Sequence, residues 1–153
     1  MKYLIGVGVY VGYDDSVGLR LIEHVSEGGL EKGFRAVEIG GNMLNLFSYL
    51  EAGVEKILVV DSAKMGKAPG DYMFFKPEQV ESQKVLAGVS THEGDVLKTL
   101  ELARQTGYRI PPIEFMGIEP KRVEPEMGLS PELERRLPEY AAAAVERLTR
   151  GTA

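Results

Sequence analysis

Short apolar runs alternate along this chain with amphipathic stretches, and glycines mark many of the junctions. Lys2 to Gly8 is apolar and runs into a glycine-containing loop, as a buried parallel strand does. A helix is expected next, capped by Asp14, Asp15 or Ser16, with Val17, Leu21, Ile22 and Val25 as its apolar stripe and Gly28 and Gly29 as its stop. Phe34 to Ile39 alternates as a second strand closed by Gly40 and Gly41, after which Met43, Leu46, Phe47 and Leu50 recur at helical spacing. Lys56 to Val60 is the clearest buried strand. It ends at Asp61, ahead of a polar loop over Ala63 to Gly70.

Asp71 to Phe75 reads as a short returning strand, and Pro77 to Gly88 as a mobile surface loop or flap. Ser90 and Thr91 occupy cap positions for a helix from about His92 to Gln105, ended by Gly107. Ile113 to Ile118 is the last strand, and Ser130, Pro131 and Glu132 open a final helix reaching about Leu148. Strands alternating with helices predict an α/β fold: a three-layer α/β/α sandwich with a mostly parallel, twisted sheet of about five strands and right-handed crossovers. At 153 residues, one domain spanning 1–153 is expected.

Composition narrows the function classes. The net charge of −5, spread over interspersed acids and bases, leaves no basic stripe for nucleic acid. Tyr3 to Val11 is far shorter than the roughly 20 apolar residues a membrane span needs, so no membrane attachment is expected. With no cysteine there is no disulfide, thiolate ligand or cysteine nucleophile, which agrees with a cytoplasmic setting.

In a sheet of this class ligands bind beyond the carboxyl ends of the strands. That rule selects Asp14 and Asp15 after the first strand, Asp61 at the end of the third and His92 at the start of the helix that follows. Asp15, Asp61 and His92, two carboxylates and an imidazole, suit a borderline divalent ion such as nickel or zinc and leave positions for water or substrate. Each has a plainer role: Asp15 as a helix cap, His92 as a neutral hydrogen-bonding group near a helix N-terminus. Asp61 is harder to reduce, because nothing in its apolar strand needs a carboxylate. His24, beside Glu23 on the first helix, reads as a surface residue. Tyr10 and Tyr13 flank the site and read as core or loop anchors.

Gly6, Gly8 and Gly12, with Glu38 as a ribose acceptor, mimic a dinucleotide fingerprint, but the pattern needs glycine where Val11 stands. Asp14 and Asp15 would also repel a pyrophosphate at the helix start. No G-x-S-x-G or H-E-x-x-H motif is present, and Ser62 and Ser90 have no protease signature around them.

Gly6-Val7-Gly8, Gly12 through Gly18, Val59-Val60-Asp61, Ser90-Thr91-His92 and Gly117-Ile118-Glu119-Pro120 together resemble the hydrogenase maturation protease family over nearly the whole chain. Val123-Glu124-Pro125 and Gly128-Leu129-Ser130-Pro131 resemble its C-terminal signature. The resemblance implies a cytoplasmic endopeptidase that removes the C-terminal extension of a nickel-iron hydrogenase large-subunit precursor after nickel insertion. It carries the family's three metal-contacting positions onto Asp15, Asp61 and His92, with nickel supplied by the precursor. Val9 departs from the family's usual Asn, and Gly40-Gly41-Asn42 from its Gly-Gly-Thr. Two rivals share the fold: a non-catalytic, metallochaperone-like assembly module, and a nucleotide-binding module using the Gly6 to Gly12 loop.

Overall fold

The computed structural model describes residues 1–79 and 91–150, excluding the side chains of residues 91–94. Its elements are β1 (Lys2–Val7), a 3-10 turn (Asp14–Ser16), α1 (Val17–Glu27), β2 (Arg35–Gly40), a 3-10 helix (Met43–Tyr49), β3 (Lys56–Ser62), β4 (Tyr72–Phe75), α2 (Thr91–Gln105), β5 (Ile113–Ile118), α3 (Pro131–Glu134) and α4 (Leu137–Thr149). The expected architecture holds. The sheet order is β2-β1-β3-β5-β4, with β4 antiparallel to β5 and every other pairing parallel.

Alternation along the strands assigns the layers. Leu58 and Val60 of β3 face α1, α3 and α4 in a core that includes Val17, Leu21, Leu133, Tyr140 and Ala144. Ile57 and Val59 face the other way, against Met43 and Leu46 of the 3-10 helix and Val96 and Leu100 of α2. Helices therefore cover both faces, as strands buried on two sides require.

Three expected boundaries change. β3 runs through Asp61 to Ser62, because β5 pairs with it to Ser62↔Ile118, so Asp61 lies inside the strand. The apolar recurrence after β2 folds as a 3-10 helix, with Asn42 accepting from the Leu44 amide at 3.1 Å. The final helix breaks into α3 and α4, since Pro138 has no N–H for the preceding turn and its ring crowds the carbonyl four residues back. The expected Ser90 cap and most of the Pro77 to Gly88 flap lie outside the described residues.

The amino ends of the strands form a structural floor. Lys2 Nζ donates to the Leu148 carbonyl at 2.8 Å and Lys56 Nζ to that of Arg147 at 3.1 Å, completing the C-terminal turn of α4. Arg147 also grips buried Glu114 through Nε at 2.9 and 3.0 Å. Burial pushes the Glu114 carboxyl up, but Arg147 and Lys56 outweigh it and hold the group below the usual range. A cavity of about 620 Å³ opens here, at the opposite sheet edge from Asp61.

The carboxyl edge is shaped by a close approach. A Cβ on Gly18 would lie 2.3 Å from the Val60 carbonyl oxygen and 2.7 Å from that of Val7, so the first turn of α1 seats directly on the ends of β1 and β3. Gly18→Ala is expected to force α1 off the sheet, costing about 2–3 kcal/mol and lowering the thermal unfolding midpoint by roughly 4–12 °C. An unchanged midpoint in a calorimetric scan would contradict this packing.

Candidate active site

From β1 the chain crosses to β2 on one side and then returns past β1 to β3 on the other, so the order reverses between β1 and β3. Loops leave that point in opposite directions and open a crevice. Asp15 stands in the 3-10 turn after β1, and Asp61 is the penultimate residue of β3. Two of the three expected site residues are thus brought to the topological switch point.

The loop that carries Asp15 is held by its neighbour. Asp14 is fully buried, and its Oδ2 accepts from the amides of Lys121 at 2.8 Å and Arg122 at 3.0 Å and from the Ser130 hydroxyl at 2.8 Å. Its Oδ1 accepts from the Ser130 amide at 2.7 Å. Ser130 holds the N-cap position of α3, yet neither it nor Asp14 makes a side-chain cap bond, because the Asp14 oxygens accept from the 121–130 segment and the Ser130 hydroxyl donates to Asp14. The backbone repeats the link: the Tyr13 amide donates to the Glu126 carbonyl at 2.8 Å and the Glu126 amide to that of Val11 at 3.0 Å.

Tyr13 adopts φ 55°, unusual for a side chain of this size. Both neighbouring segments hold it there, and the Arg122 guanidinium lies 4.5 Å over its ring. Gly8 makes room below, since a Cβ there would stand 2.2 Å from the Asp15 carbonyl oxygen. Glu119 acts similarly on the loop after β3, accepting from the amides of Met65 at 2.7 Å and Lys67 at 3.1 Å.

Asp15 is part-buried, and its Oδ1 accepts from the Ser62 hydroxyl at 2.9 Å. Asp61 is fully enclosed. Taking a carboxylate out of water into such a place carries a desolvation cost of several kcal/mol. Asp61 shares its sheet face with Ile57 and Val59, the face covered by α2. His92 is the second residue of α2, and its side chain lies outside the described residues. His24, expected at the surface, is part-buried in the last turn of α1, the end away from the switch point.

Glu38, the ribose acceptor of the rival fingerprint, instead accepts the Tyr10 hydroxyl at 2.6 Å. Burial and that carboxylate hold the Tyr10 phenol well above its ordinary range. Ser62 and Ser130 are the residues sequence reasoning did not single out for this site. A polar residue at a buried strand position, as at Ser62, was the available signal.

Asp14 and Asp15 therefore differ: Asp14 is a fully buried carboxylate that fastens the loop, and Asp15 is a part-buried one at the switch point. Asp14→Asn must turn an amide nitrogen toward at least one of four donors, and a loss of about 2–3 kcal/mol of stability is expected. Asp15→Asn should stay within about 1 kcal/mol of the wild type. Urea unfolding of the two variants checks this, and equal losses would contradict the division.

A model of the hydrogenase maturation protease family matches residues 19–147, a span that includes Asp61 and His92 and begins just after Asp15. The chain is 25% identical over 140 residues to the Hydrogenase 2 maturation protease of Escherichia coli, covering 86% of this chain and 80% of that one. It is 29% identical over 130 residues to Protein FrxA of Pyrococcus furiosus, covering 82% and 88%. Its fold matches the NiFe hydrogenase maturation protease HybD of Thermococcus kodakarensis with a TM-score of 0.80 at 24% identity, covering 97% of this chain and all of that one. The hydrogenase maturating endopeptidase HybD of Escherichia coli superposes with a TM-score of 0.76 at 22% identity, covering 96% and 93%. The match of the family model across most of the chain places this peptidase in the hydrogenase maturation protease family.

Proposed function

We propose that this peptidase removes the C-terminal extension of a nickel-iron hydrogenase large-subunit precursor once nickel has been inserted. In this reading Asp15, Asp61 and His92 contact the nickel that the precursor carries. The observation that supports it is the placement of two carboxylates at one topological switch point, Asp61 enclosed in β3 and Asp15 tethered beside it through Ser62. Carboxylate oxygens and a neutral imidazole are suitable donors for such an ion. The ion is part of the substrate, held by precursor cysteines, and its remaining coordination positions distinguish loaded from empty precursor.

The residues divide the work by exposure. Asp61, enclosed on a rigid strand, fixes where the ion and the scissile segment stop. Asp15, the more open carboxylate, is placed to accept a proton from an attacking water. The water oxygen then bonds to the peptide carbonyl carbon, the C–N bond breaks, and the proton passes to the departing amine. His92, at the start of α2, binds as neutral imidazole, the form that a helix N-terminus favours. The precursor's nickel supplies recognition, with or without polarisation of the carbonyl.

The partner is accordingly a metal-loaded precursor protein. The encounter is proposed to be cytoplasmic; no helix among the described residues is long and apolar enough to cross a membrane. Mass spectrometry of nickel-loaded precursor incubated with wild type should reveal loss of a C-terminal peptide. Folded Asp61→Asn and His92→Ala variants should be slower by at least about 100-fold, the scale of losing one essential transition-state contact. Normal processing by both variants would overturn the assignment, and a stable complex with uncut precursor under wild type would favour an assembly-binding role.

A further inference from the structure

We infer that Ser62 is a positioning residue for Asp15, the group through which β3 sets the geometry of both carboxylates. This inference rests on the reading that Asp15 and Asp61 meet the precursor's nickel. Alternation along β3 sends neighbouring side chains to opposite faces of the sheet. Asp61 follows Ile57 and Val59 toward the α2 layer, whereas Ser62 follows Leu58 and Val60 toward the α1 layer, where the Asp15 turn sits. One dipeptide therefore supplies one carboxylate itself and holds the second with a hydroxyl.

The contact is built to be specific. Ser62 is 5% exposed, and its Oγ donates to Asp15 Oδ1 at 2.9 Å across 47 residues of sequence. Ser62 itself is fixed by the strand, in register with Ile118 of β5. On the other side Asp15 is pressed by the main chain, since a Cβ on Gly12 would fall 2.8 Å from the Asp15 Cβ. The backbone thus places the Asp15 Cβ, and the Ser62 hydroxyl sets the rotation of its carboxylate. An oriented carboxylate loses less freedom when it meets an ion or a water, which is why groups behind a ligand affect its performance as strongly as they do.

Ser62→Ala and Ser62→Thr in the full chain test this by structure and by kinetics. In a crystal structure of Ser62→Ala the Asp15 carboxylate is expected to rotate away from its wild-type position, and in Ser62→Thr to keep it. With nickel-loaded precursor, Ser62→Ala should lower kcat by about 10–100-fold, the range seen when a group behind a ligand is removed. KM should stay within about twofold, and Ser62→Thr should recover most of the rate. An Asp15 carboxylate that keeps its rotamer in Ser62→Ala overturns the inference whatever the kinetics. So does a Ser62→Thr variant as slow as Ser62→Ala, because the loss is then one of packing. Wild type that leaves the precursor uncut is a failure of the functional reading instead, and the crystallographic comparison still decides the role of Ser62.

Discussion

The buried carboxylate of Asp14 is the constraint on which the carboxyl edge of this protein depends. Its two oxygens take four donors from Lys121, Arg122 and Ser130, so a turn near the start of the chain is fastened to the segment that follows the last strand. A buried charge is tolerable only when such a network is complete, and a complete network leaves few alternative arrangements. The strained backbone of Tyr13 and the close seat of α1 on β1 and β3 are affordable because both ends of this loop are held.

From that fixed turn the placement of the candidate carboxylates follows by geometry. Asp15 is displaced by one residue from the structural carboxylate and emerges at the point where the strand order reverses. Asp61 reaches the same point from β3, facing the α2 layer that also carries His92 in its first turn. Glu119 holds the loop after β3 as Asp14 holds the segment after β5. The Gly117 to Pro120 motif around Glu119, and the stretch around Ser130 that resembles the family's C-terminal signature, thus shape the edge from behind.

Much of this was legible in the sequence. The apolar runs of β1, β3 and β5 and the stripe of α1 have one low-energy reading each, and they suffice for the layered fold and its binding edge. Asp61 was legible because a carboxylate interrupts a strand that has no need of it. What escaped notice depends on partners distant in sequence. Asp14 and Asp15 are adjacent acids at a helix start, and only the segment at 121–130 decides which one is structural. Ser130 has the sequence of an N-cap, yet its hydroxyl finds a charged acceptor 116 positions away. Ser62 looked unremarkable without the turn it touches. The 3-10 form of Met43–Tyr49 and the break before α4 reflect local sterics that apolar spacing does not encode.

The central claim is that the two switch-point carboxylates enter the coordination of nickel carried by the precursor. X-ray absorption at the nickel edge tests it directly, on the loaded precursor alone and then mixed with an excess of the Asp15→Asn protein, chosen to slow cleavage while retaining Asp61. The account predicts that nickel gains oxygen or nitrogen neighbours on mixing and loses part of that gain when Asp61 is also replaced by alanine. A spectrum unchanged by the protein, in a complex shown to have formed, would contradict it.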